Sequence, residues 1–405
     1  MNNSHSSQSK IQWKLVIVLG LLAAFGPLSL DMYLPALPNV SEDFKTTTSS
    51  VQLSLTACMI GLAVGQLFVG PISDVIGRKK PLLVVLAVYA LMSTLSAVAP
   101  TIEWLIAIRF FQGFAGGAGA VIARAISADL YKGKDLTKFM SALMLVNGLA
   151  PILAPVLGGI ILRFSVWQTV FYILAGYGVI MFLVSALLVR ESLPENSRDN
   201  VKFSSIFVDF RALLSNRKFV ILLVLQSLTY GILFSYIAGS PFITQKIYDM
   251  SAQQFSLMFA VNGIGLILFS QLTARLVDRM TEITILKLGQ YIQSIGVILT
   301  ACVLLFHLPV WTLFAAFFLL ISPVSMIGTT GFSLAMQVQR QGAGSASALL
   351  GLVQFLIGGA LTPVTGVMGE NSYVPFLMII IIISIVAQLL RIFVLNKLSL
   401  SHSQS

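Results

Sequence analysis

The segment Gly70-Pro-Ile-Ser-Asp-Val-Ile-Gly-Arg-Lys-Lys80 joins two long apolar runs, residues 50–72 and 81–99. Each run can form a helix that crosses a bilayer, since about 20 mainly apolar residues span the hydrocarbon core. Backbone groups in lipid must be satisfied within their own segment, so a helix is the expected conformation. The basic cluster at residues 78–80 therefore marks a turn between two membrane spans, on the side where positive charge collects.

The composition of the chain is that of a membrane protein. Of 405 residues, 57% are hydrophobic and 10% are charged, whereas a soluble domain carries about 25% charged residues. This balance excludes an ordinary cytosolic enzyme, a disulfide scaffold and a disordered protein. Cys58 and Cys302 are too few for a disulfide framework or a metal cluster, and residues 116–119 lack the lysine of a phosphate-binding loop. We expect no metal, no cofactor and no nucleic-acid partner.

Counting the apolar runs predicts an all-α polytopic membrane protein with twelve transmembrane helices. The predicted spans are residues 13–37, 50–72, 81–99, 103–125, 138–161, 166–189, 218–244, 253–274, 283–306, 309–331, 344–367 and 372–395. With the N-terminus inside, the inner segments hold 21 of the 25 basic residues, among them Arg124 at the inner loop after the fourth span, and the outer segments hold Lys45, Arg163 and Lys246. Because cytoplasmic loops carry such an excess, we predict that both termini are cytoplasmic.

The longest polar stretch divides the chain into two similar halves. Three pairs of matching positions lie at nearly one offset: Asp74 with Asp278, Gly158-Gly159 with Gly358-Gly359, and Phe25-Gly26 with Tyr230-Gly231. These matches indicate two pseudo-symmetric six-helix bundles, with the substrate site between them near the membrane midplane. The predicted division is a polar tail 1–12, a first bundle 13–190, a linker 191–217, a second bundle 218–396 and a tail 397–405.

Only two charged residues lie clearly inside the predicted spans, away from their ends: Asp31 in the first and Arg109 in the fourth. A charge in lipid is costly and therefore points to a function. Both lie about 9 Å from the outer edge at 1.5 Å per helical residue, so they could pair. Burial favours the neutral carboxylic acid, and a nearby guanidinium favours the carboxylate. A conformational change that alters either effect would make Asp31 a proton carrier; a purely structural ion pair is the alternative.

Other candidates lie at helix ends and within the spans. Gly70 and Gly77 permit a tight turn and close helix contact, and Asp74 could be held by a helix N-terminus or an arginine. Small residues and prolines recur at helical spacing in the fifth span, where they allow helices to approach and bend. Aromatic side chains that could line a cavity are Phe25, Tyr33, Tyr230, Phe234, Tyr236 and Phe355. For each of these features, ordinary packing is the alternative.

Several segments resemble motifs of the major facilitator superfamily. Residues 70–80 resemble its signature between the second and third helices, and Arg109-Phe-Phe-Gln-Gly113 resembles the fourth-helix motif of its proton-coupled members. Residues 148–159 resemble the antiporter motif of exporters. Residues 30–38 and 235–242 resemble the bicyclomycin-resistance (Bcr/CflA) branch of the drug/proton antiporters in bacterial cytoplasmic membranes.

The resemblance implies roles for individual residues. It makes Asp31 the protonation site and part of the substrate site, with Arg109 as its proton-linked partner and Gln112 in the substrate site. It assigns Asp74, Arg78 and Asp129 to an inner charge relay that stabilises the outward-open state. The residues that match the antiporter motif are Ala150, Pro151, Pro155, Gly158 and Gly159. The departures are Val75 for a basic residue, Ala154 for a glycine, and Thr281-Glu282 where the first half has Gly77-Arg78.

The sequence and the resemblance together predict a monomeric alternating-access transporter that exports small amphipathic compounds in exchange for protons. Neutral, zwitterionic or singly cationic substrates are expected. An exporter dedicated to one metabolite, such as an amino acid or a siderophore, is the alternative within transport. A membrane-embedded enzyme would need a catalytic set in the spans, where Asp31 is the only acid. A receptor or channel is disfavoured by the internal repeat.

Overall fold

The computed structural model describes residues 13–131, 133–195, 203–338 and 343–392, which are helical nearly throughout. The α-helices are α1 Trp13–Ala23, α2 Phe25–Asp31, α3 Leu37–Asp43, α4 Thr48–Ile76, α5 Lys79–Ala97, α6 Ile102–Leu130, α7 Gly133–Phe164, α8 Gln168–Leu188, α9 Phe203–Ser215, α10 Arg217–Phe242, α11 Ala252–Leu276, α12 Glu282–Leu305, α13 Val310–Ile321, α14 Pro323–Val338, α15 Ala343–Leu361 and α16 Val374–Leu390. Two 3₁₀ turns, Leu34–Ala36 and Pro363–Gly366, and a π-helical turn, Ile243–Ile247, supplement them.

Within the described ranges, nine helices are long and apolar enough to cross a membrane, and the bent pair Lys14–Ala23 and Phe25–Asp43 makes a tenth. Helices α7 and α16, of 32 and 17 residues, coincide with the two remaining predicted spans. The prediction of an all-α polytopic membrane protein is confirmed.

The helices pack as two bundles. Helices α1–α8 form the first, in which α4 packs along α6 and α5 along α8; helices α10–α16 form the second, in which α10 packs against α14, α15 and α16. The bundles meet chiefly where α4 contacts α15 and where α7 contacts α11. We call the end of the molecule at which α4, α6 and α8 finish the linker end, and the opposite end the far end.

The first span is broken rather than continuous, unlike the single run predicted over residues 13–37. Its two parts meet at an angle of 42°. A proline ring clashes with the carbonyl group four residues before it. For Pro27 that residue is Ala23, where α1 ends, and for Pro35 it is Asp31, where α2 ends. The prolines thus place Asp31 at a helix terminus inside the bundle.

The predicted polar linker contains a helix that the sequence analysis did not predict. Helix α9 packs against α10 and α15 at the linker end. Leu213 on α9 is buried in a cluster with Phe219 and Leu222 of α10. A single anchored apolar face is enough to hold a short surface helix, since most helical stability in proteins comes from packing.

Candidate functional site

A cavity of about 720 Å³ separates the two bundles in the linker-side halves of their helices. Helices α4 and α6 of the first bundle and α10, α14 and α15 of the second line it. Its polar and aromatic lining includes Gln66, Arg124, Gln226, Tyr230, Gln354 and Phe355. The cavity thus lies between the two bundles, where the internal repeat leads us to expect the substrate site.

The far end between the bundles is closed by side chains of α4. Gln52 Nε2 donates to the carbonyl oxygen of Ala238 at 3.0 Å, and Thr56 Oγ1 donates to that of Gly359 at 2.9 Å. Ser49 Oγ donates to the carbonyl oxygen of Pro363 at 2.8 Å. The space between the bundles thus lies on the linker side of a sealed far end.

A second closure brings α7 against α11. Gln253 Nε2 donates to the carbonyl oxygen of Gly159 at 2.8 Å. A methyl group on Gly159 would collide with the Ser256 hydroxyl and lie 3.2 Å from the carbonyl oxygen of Ala252. A methyl group on Gly158 would overlap the carbonyl oxygen of Met32, the residue after Asp31. The antiporter-like helix therefore contacts the opposite bundle on one side and the C-terminal end of α2 on the other.

The rest of that motif lies along the same helix. Ala150 and Pro155 are buried, and Pro151 is partly exposed. Helix α7 continues through both prolines.

Asp31 is buried, with 6% of its surface exposed. Among the described residues, no basic group lies within 4 Å of its carboxylate, so the possible ion pair with Arg109 is not formed in this conformation. Instead Arg109 Nη2 donates to the carbonyl oxygen of Ser29 at 2.8 Å, and Nη1 donates to Gln112 Oε1 at 2.5 Å. Both charged groups nevertheless lie in one bundle, close to Cys58.

The fully buried guanidinium of Arg109 is held by aromatic rings as well as by hydrogen bonds. Its Cζ lies 5.2 Å from the ring centre of Tyr33 and 5.5 Å from that of Phe171. Both are within the range of cation–π attraction, which is strongest where water is excluded. This environment replaces the carboxylate partner that the sequence suggested.

A chain of uncharged hydrogen bonds extends from this arginine. Gln112 Nε2 donates to Ser93 Oγ at 2.7 Å, and the hydroxyl groups of Ser29 and Tyr89 lie 2.7 Å apart. Sequence reasoning missed Ser29, Tyr89 and Ser93. The signal that could have found them is the four-residue spacing of Tyr89 and Ser93, which places two polar groups on one face of an apolar helix.

The predicted aromatic candidates divide into two groups. Tyr230 and Phe355 line the cavity, and Phe234 packs on Phe355 with 5.5 Å between ring centres. Phe25, Tyr33 and Tyr236 are buried, with contacts to Tyr89, to Phe171 and to Asn262, respectively. In this conformation the second group packs within the bundles, as Gln112 does.

At the linker end, Arg78 joins the helices of the first bundle. Its Nε donates to Asp129 Oδ2 at 2.9 Å, and its Nη1 lies 2.5 Å from Asp74 Oδ1. Burial disfavours the charged guanidinium, but the hydrogen bonds and charges of Asp129 and Asp74 outweigh that cost and raise the pKa of Arg78. The predicted trio is thus brought together.

The turn around Arg78 depends on two further residues. Gly77 has φ +103°, a conformation that favours glycine. Glu191, which sequence reasoning missed, accepts hydrogen bonds from the backbone N–H groups of Arg78 and Lys79 at 2.8 and 3.1 Å. Its carboxylate caps the N-terminus of α5, where the helix dipole favours negative charge. Gly70, one turn before Asp74, lies against Val121 of α6.

The second bundle uses different chemistry at the matching place. Glu282 accepts hydrogen bonds from Ser333 Oγ and Gln337 Nε2, both at 2.6 Å. These hydrogen bonds join α12 to α14. In the first bundle, the contact of Arg78 with Asp129 joins the linker ends of α5 and α6 in the same way. Glu282 stands where the first half has Arg78. At this position the second bundle therefore has hydrogen bonds to neutral partners in place of an ion pair.

The structure places Arg124 on a helix that lines the cavity, and not in an inner loop as the sequence indicated. The predicted fourth span ended at residue 125, and Arg124 was counted among the inner loop residues. Helix α6 instead continues to Leu130, so Arg124 lies on a helix and lines the cavity. Its Nη2 donates to Gln66 Oε1 of α4 at 2.7 Å.

Comparison with known proteins agrees with this architecture. Residues 19–363 match the Major Facilitator Superfamily, and the chain belongs to that family. It is therefore a multi-pass membrane transporter of small molecules and not an enzyme, as predicted.

Three relatives indicate which branch of the family the chain resembles. The chain is 38% identical to the uncharacterized MFS-type transporter YdgK of Bacillus subtilis over 95% of its length and 96% of the relative's. It is 29% identical to the bicyclomycin resistance protein homolog of Haemophilus influenzae, covering 92% and 93%, and 28% identical to the multidrug resistance protein MdtL of Salmonella paratyphi C, covering 81% and 82%. The predicted drug/proton antiporter branch is supported.

A solved structure confirms the fold. The bacterial homolog of the human lysosomal transporter Spinster, in an inward-facing and unoccupied conformation, superposes with a TM-score of 0.74 at 16% identity. The alignment covers 89% of this chain and 83% of that one. At this identity the similarity concerns the fold alone.

Proposed function

We propose that this transporter is a proton-coupled antiporter that exports small amphipathic compounds from bacterial cells. The observation that carries the proposal is the buried carboxyl group of Asp31 at the C-terminal end of α2 inside the first bundle. An ionisable group in this position is expensive to keep and points to a function, of which a proton pathway is one. The relatives named for bicyclomycin and multidrug resistance support export as the direction of transport.

In this proposal the linker end faces the cytoplasm. Positive charge in the alternate loops supports that orientation, with both termini cytoplasmic in a bacterial cytoplasmic membrane. The cavity between the bundles then opens toward the cytoplasm, and the hydrogen bonds of α4 seal the outer side. Substrate enters from the cytoplasm or the inner leaflet, and the protein acts as a monomer.

In the proposed cycle the far end and the linker end of the space between the bundles are closed alternately. The bundles rock against each other, so that the far-end contacts of α7 with α11 and of α4 with α15 separate as the linker end closes. Arg78, with Asp74 and Asp129, stabilises the linker-end geometry in the outward-open state. Asp31 binds a proton from outside in that state and releases it after the bundles return.

The coupling has a structural route through α7. Gly158 lies against the carbonyl group of Met32, next to Asp31, while Gly159 lies against Ser256 of the opposite bundle. Movement of α11 on α7 therefore changes the surroundings of Asp31. A change in the exposure of a carboxyl group changes its affinity for protons.

The test is flux into inverted membrane vesicles, with and without an imposed pH gradient. The panel contains bicyclomycin and chemically unrelated amphipathic compounds, and vesicles without the protein serve as the control. We expect saturable accumulation that requires the gradient. Saturable flux that is indifferent to the gradient would contradict proton coupling.

A dedicated metabolite exporter is the second candidate. The observation that favours it is the polar cavity lining, which contains Gln66, Gln226, Gln354 and Arg124. Precisely placed polar groups give specificity to a binding pocket. Competition among unlike compounds separates the two candidates: mutual inhibition supports a multidrug exporter, and a single accepted substrate supports the dedicated exporter.

A further inference from the structure

We propose that Arg124, together with Gln66 and Gln226, forms a subsite for a negatively charged group of the substrate, so that the transporter prefers organic anions and zwitterions over cations. This inference rests on the proposed export function and specifies its substrate class. The subsite lies at the interface of the bundles, since Gln66 and Arg124 belong to the first and Gln226 to the second.

The charge balance of the cavity is the first observation. Among the described lining residues, Arg124 is the only one with a formal charge, and none carries a carboxylate. Asp31 is not in this lining. A cation entering the cavity would therefore meet one positive charge without compensation, whereas an anion would gain a partner. Charges in a confined space of low dielectric interact more strongly than in water.

The hydrogen-bonding state of Arg124 is the second observation. Its Nη2 is bound to the amide oxygen of Gln66 at 2.7 Å, a neutral partner. Among the described residues, no carboxylate lies within ion-pair distance of the guanidinium, although burial is costly for its charge. A guanidinium has a planar fork of donors that matches a carboxylate or phosphonate group. The side chain is thus held in place by Gln66 and still has donors for a ligand.

Gln226 supplies the third observation, from the opposite bundle. Its side chain is 97% buried, with only 3% of its surface exposed, and it lines the cavity. Its amide oxygen Oε1 has no hydrogen-bond partner among the described residues. A buried polar group without a partner is costly. Because the two ends of a glutamine amide can exchange by rotation, this group can offer a donor to an anion.

The positions of the charged subsite and of the aromatic lining together predict how the substrate is oriented in the cavity. Its anionic group contacts Arg124 near the linker end, and its apolar part lies toward Tyr230 and Phe355, deeper along the cavity. An amphipathic anion therefore fits the site better than an amphipathic cation. This shifts the expected substrates from the neutral, zwitterionic and singly cationic compounds predicted from the sequence toward zwitterions and anions.

The experiment compares three probes that share one ring system: 2-naphthoate, 2-naphthamide and 2-naphthylmethylammonium. Equilibrium dialysis with the purified full-length protein at neutral pH measures the binding of each. We expect the carboxylate to bind about tenfold more tightly than the amide, as for a charge-assisted hydrogen bond, and the ammonium to bind least. The substitution Arg124→Gln should abolish the preference for the carboxylate, and Arg124→Lys should retain part of it.

Arg163→Gln is the matched control, since Arg163 is exposed at the far end, and it should leave the preference intact. The comparison of the three probes on the unmodified protein needs no variant, so it stands even where Arg124→Gln fails to fold. Equal binding of the three probes, or no measurable binding of the carboxylate, would overturn the subsite. Gradient-driven flux of other compounds would then still support the export function, so the two failures are distinguishable.

Discussion

Gly159 and Gly359 occupy matching positions in the two bundles, and each lies against the opposite bundle on the closed side of the molecule. A methyl group on Gly159 would collide with Ser256 of α11, and one on Gly359 would lie 3.3 Å from the side chain of Thr56 of α4. Each glycine also provides a carbonyl oxygen that accepts a hydrogen bond across the interface. The two closures are therefore related by the internal repeat.

We predict that Gly159→Ala disfavours the conformation with the closed far end. Overpacking a tight contact costs about 1–3 kcal/mol, and about 1.4 kcal/mol changes a population ratio tenfold. Transport by the variant should fall about tenfold, with the protein still folded. Gly359→Ala should have a smaller effect, because its new methyl group would lie no closer than 3.3 Å to the side chains of Thr56 and Ile60.

The control is Gly176→Ala on α8, where nothing lies within 4 Å of the added methyl group. It should transport as the unmodified protein does. If Gly159→Ala transported as well as this control, the contact of α7 with α11 would not limit the cycle.

We predict that Arg78→Ala lowers the thermal stability of the purified protein more than Asp74→Asn. The first substitution leaves the mostly buried Asp129 without its ionic partner, at a cost of about 1–3 kcal/mol. The second removes a charge from a side chain that is 41% exposed, where ion pairs contribute little. Thermal unfolding of both variants measures the difference, and equal losses would contradict this assignment.

The contribution of Arg78 should not depend on pH in the physiological range. Folding raises the pKa of Arg78 above its ordinary, already strongly basic range, because Asp129 and Asp74 outweigh the cost of burial. A group with a raised pKa stabilises the fold below its unfolded-state value and loses that contribution as the pH rises through the folded-state value. The stability difference between the unmodified protein and Arg78→Ala should thus stay constant between about pH 6 and pH 9. A difference that shrinks across this range would indicate another titrating group.

We predict that Arg109→Lys transports poorly although it keeps the positive charge. The guanidinium is bound to Ser29 and Gln112 and packs on the rings of Tyr33 and Phe171. An ammonium group cannot reproduce this planar arrangement. Transport should fall at least about tenfold, whereas Arg163→Lys, outside the bundle core, should have no effect. Normal transport by Arg109→Lys would show that only the charge matters.

We predict that Lys246→Gln has a small effect that depends on salt. Lys246 forms an ion pair with Glu42 of the first bundle at the far end and lies 3.7 Å from Glu370. Exposed ion pairs contribute about 0–1 kcal/mol and are screened by salt. Transport should change less than about fivefold at low ionic strength and not at all in high salt. A large loss at both salt concentrations would contradict this account of the far end.

The sequence was sufficient to predict the helical architecture because each span needs a long apolar run. The repeat at Gly158-Gly159 and Gly358-Gly359 was also visible, since glycines are required where backbones approach closely. The bend after α1 and the end of α2 at Asp31 were missed, although Pro27 and Pro35 lie four residues after Ala23 and Asp31, because hydropathy alone does not detect a helix terminus inside an apolar run.

The cavity could not be predicted in the same way. Arg124 was assigned to a loop because an arginine near the end of an apolar run is typical of a membrane boundary. Its role depends on how far α6 continues and on the position of Gln66 on a neighbouring helix. Similarly, the partners of Arg109 are a backbone carbonyl group and neutral side chains, which no charge pattern reveals. Such contacts follow from tertiary packing.

The most direct test of the account is transport by Asp31→Asn in proteoliposomes with an imposed pH gradient. The amide is close in shape to the carboxyl group and cannot carry a proton. We expect the variant to lose gradient-driven accumulation while it still exchanges labelled for unlabelled substrate, and the control Asp43→Asn, at the exposed far end, to retain both. Undiminished gradient-driven accumulation by Asp31→Asn would contradict the central claim that this buried carboxyl group couples proton movement to transport.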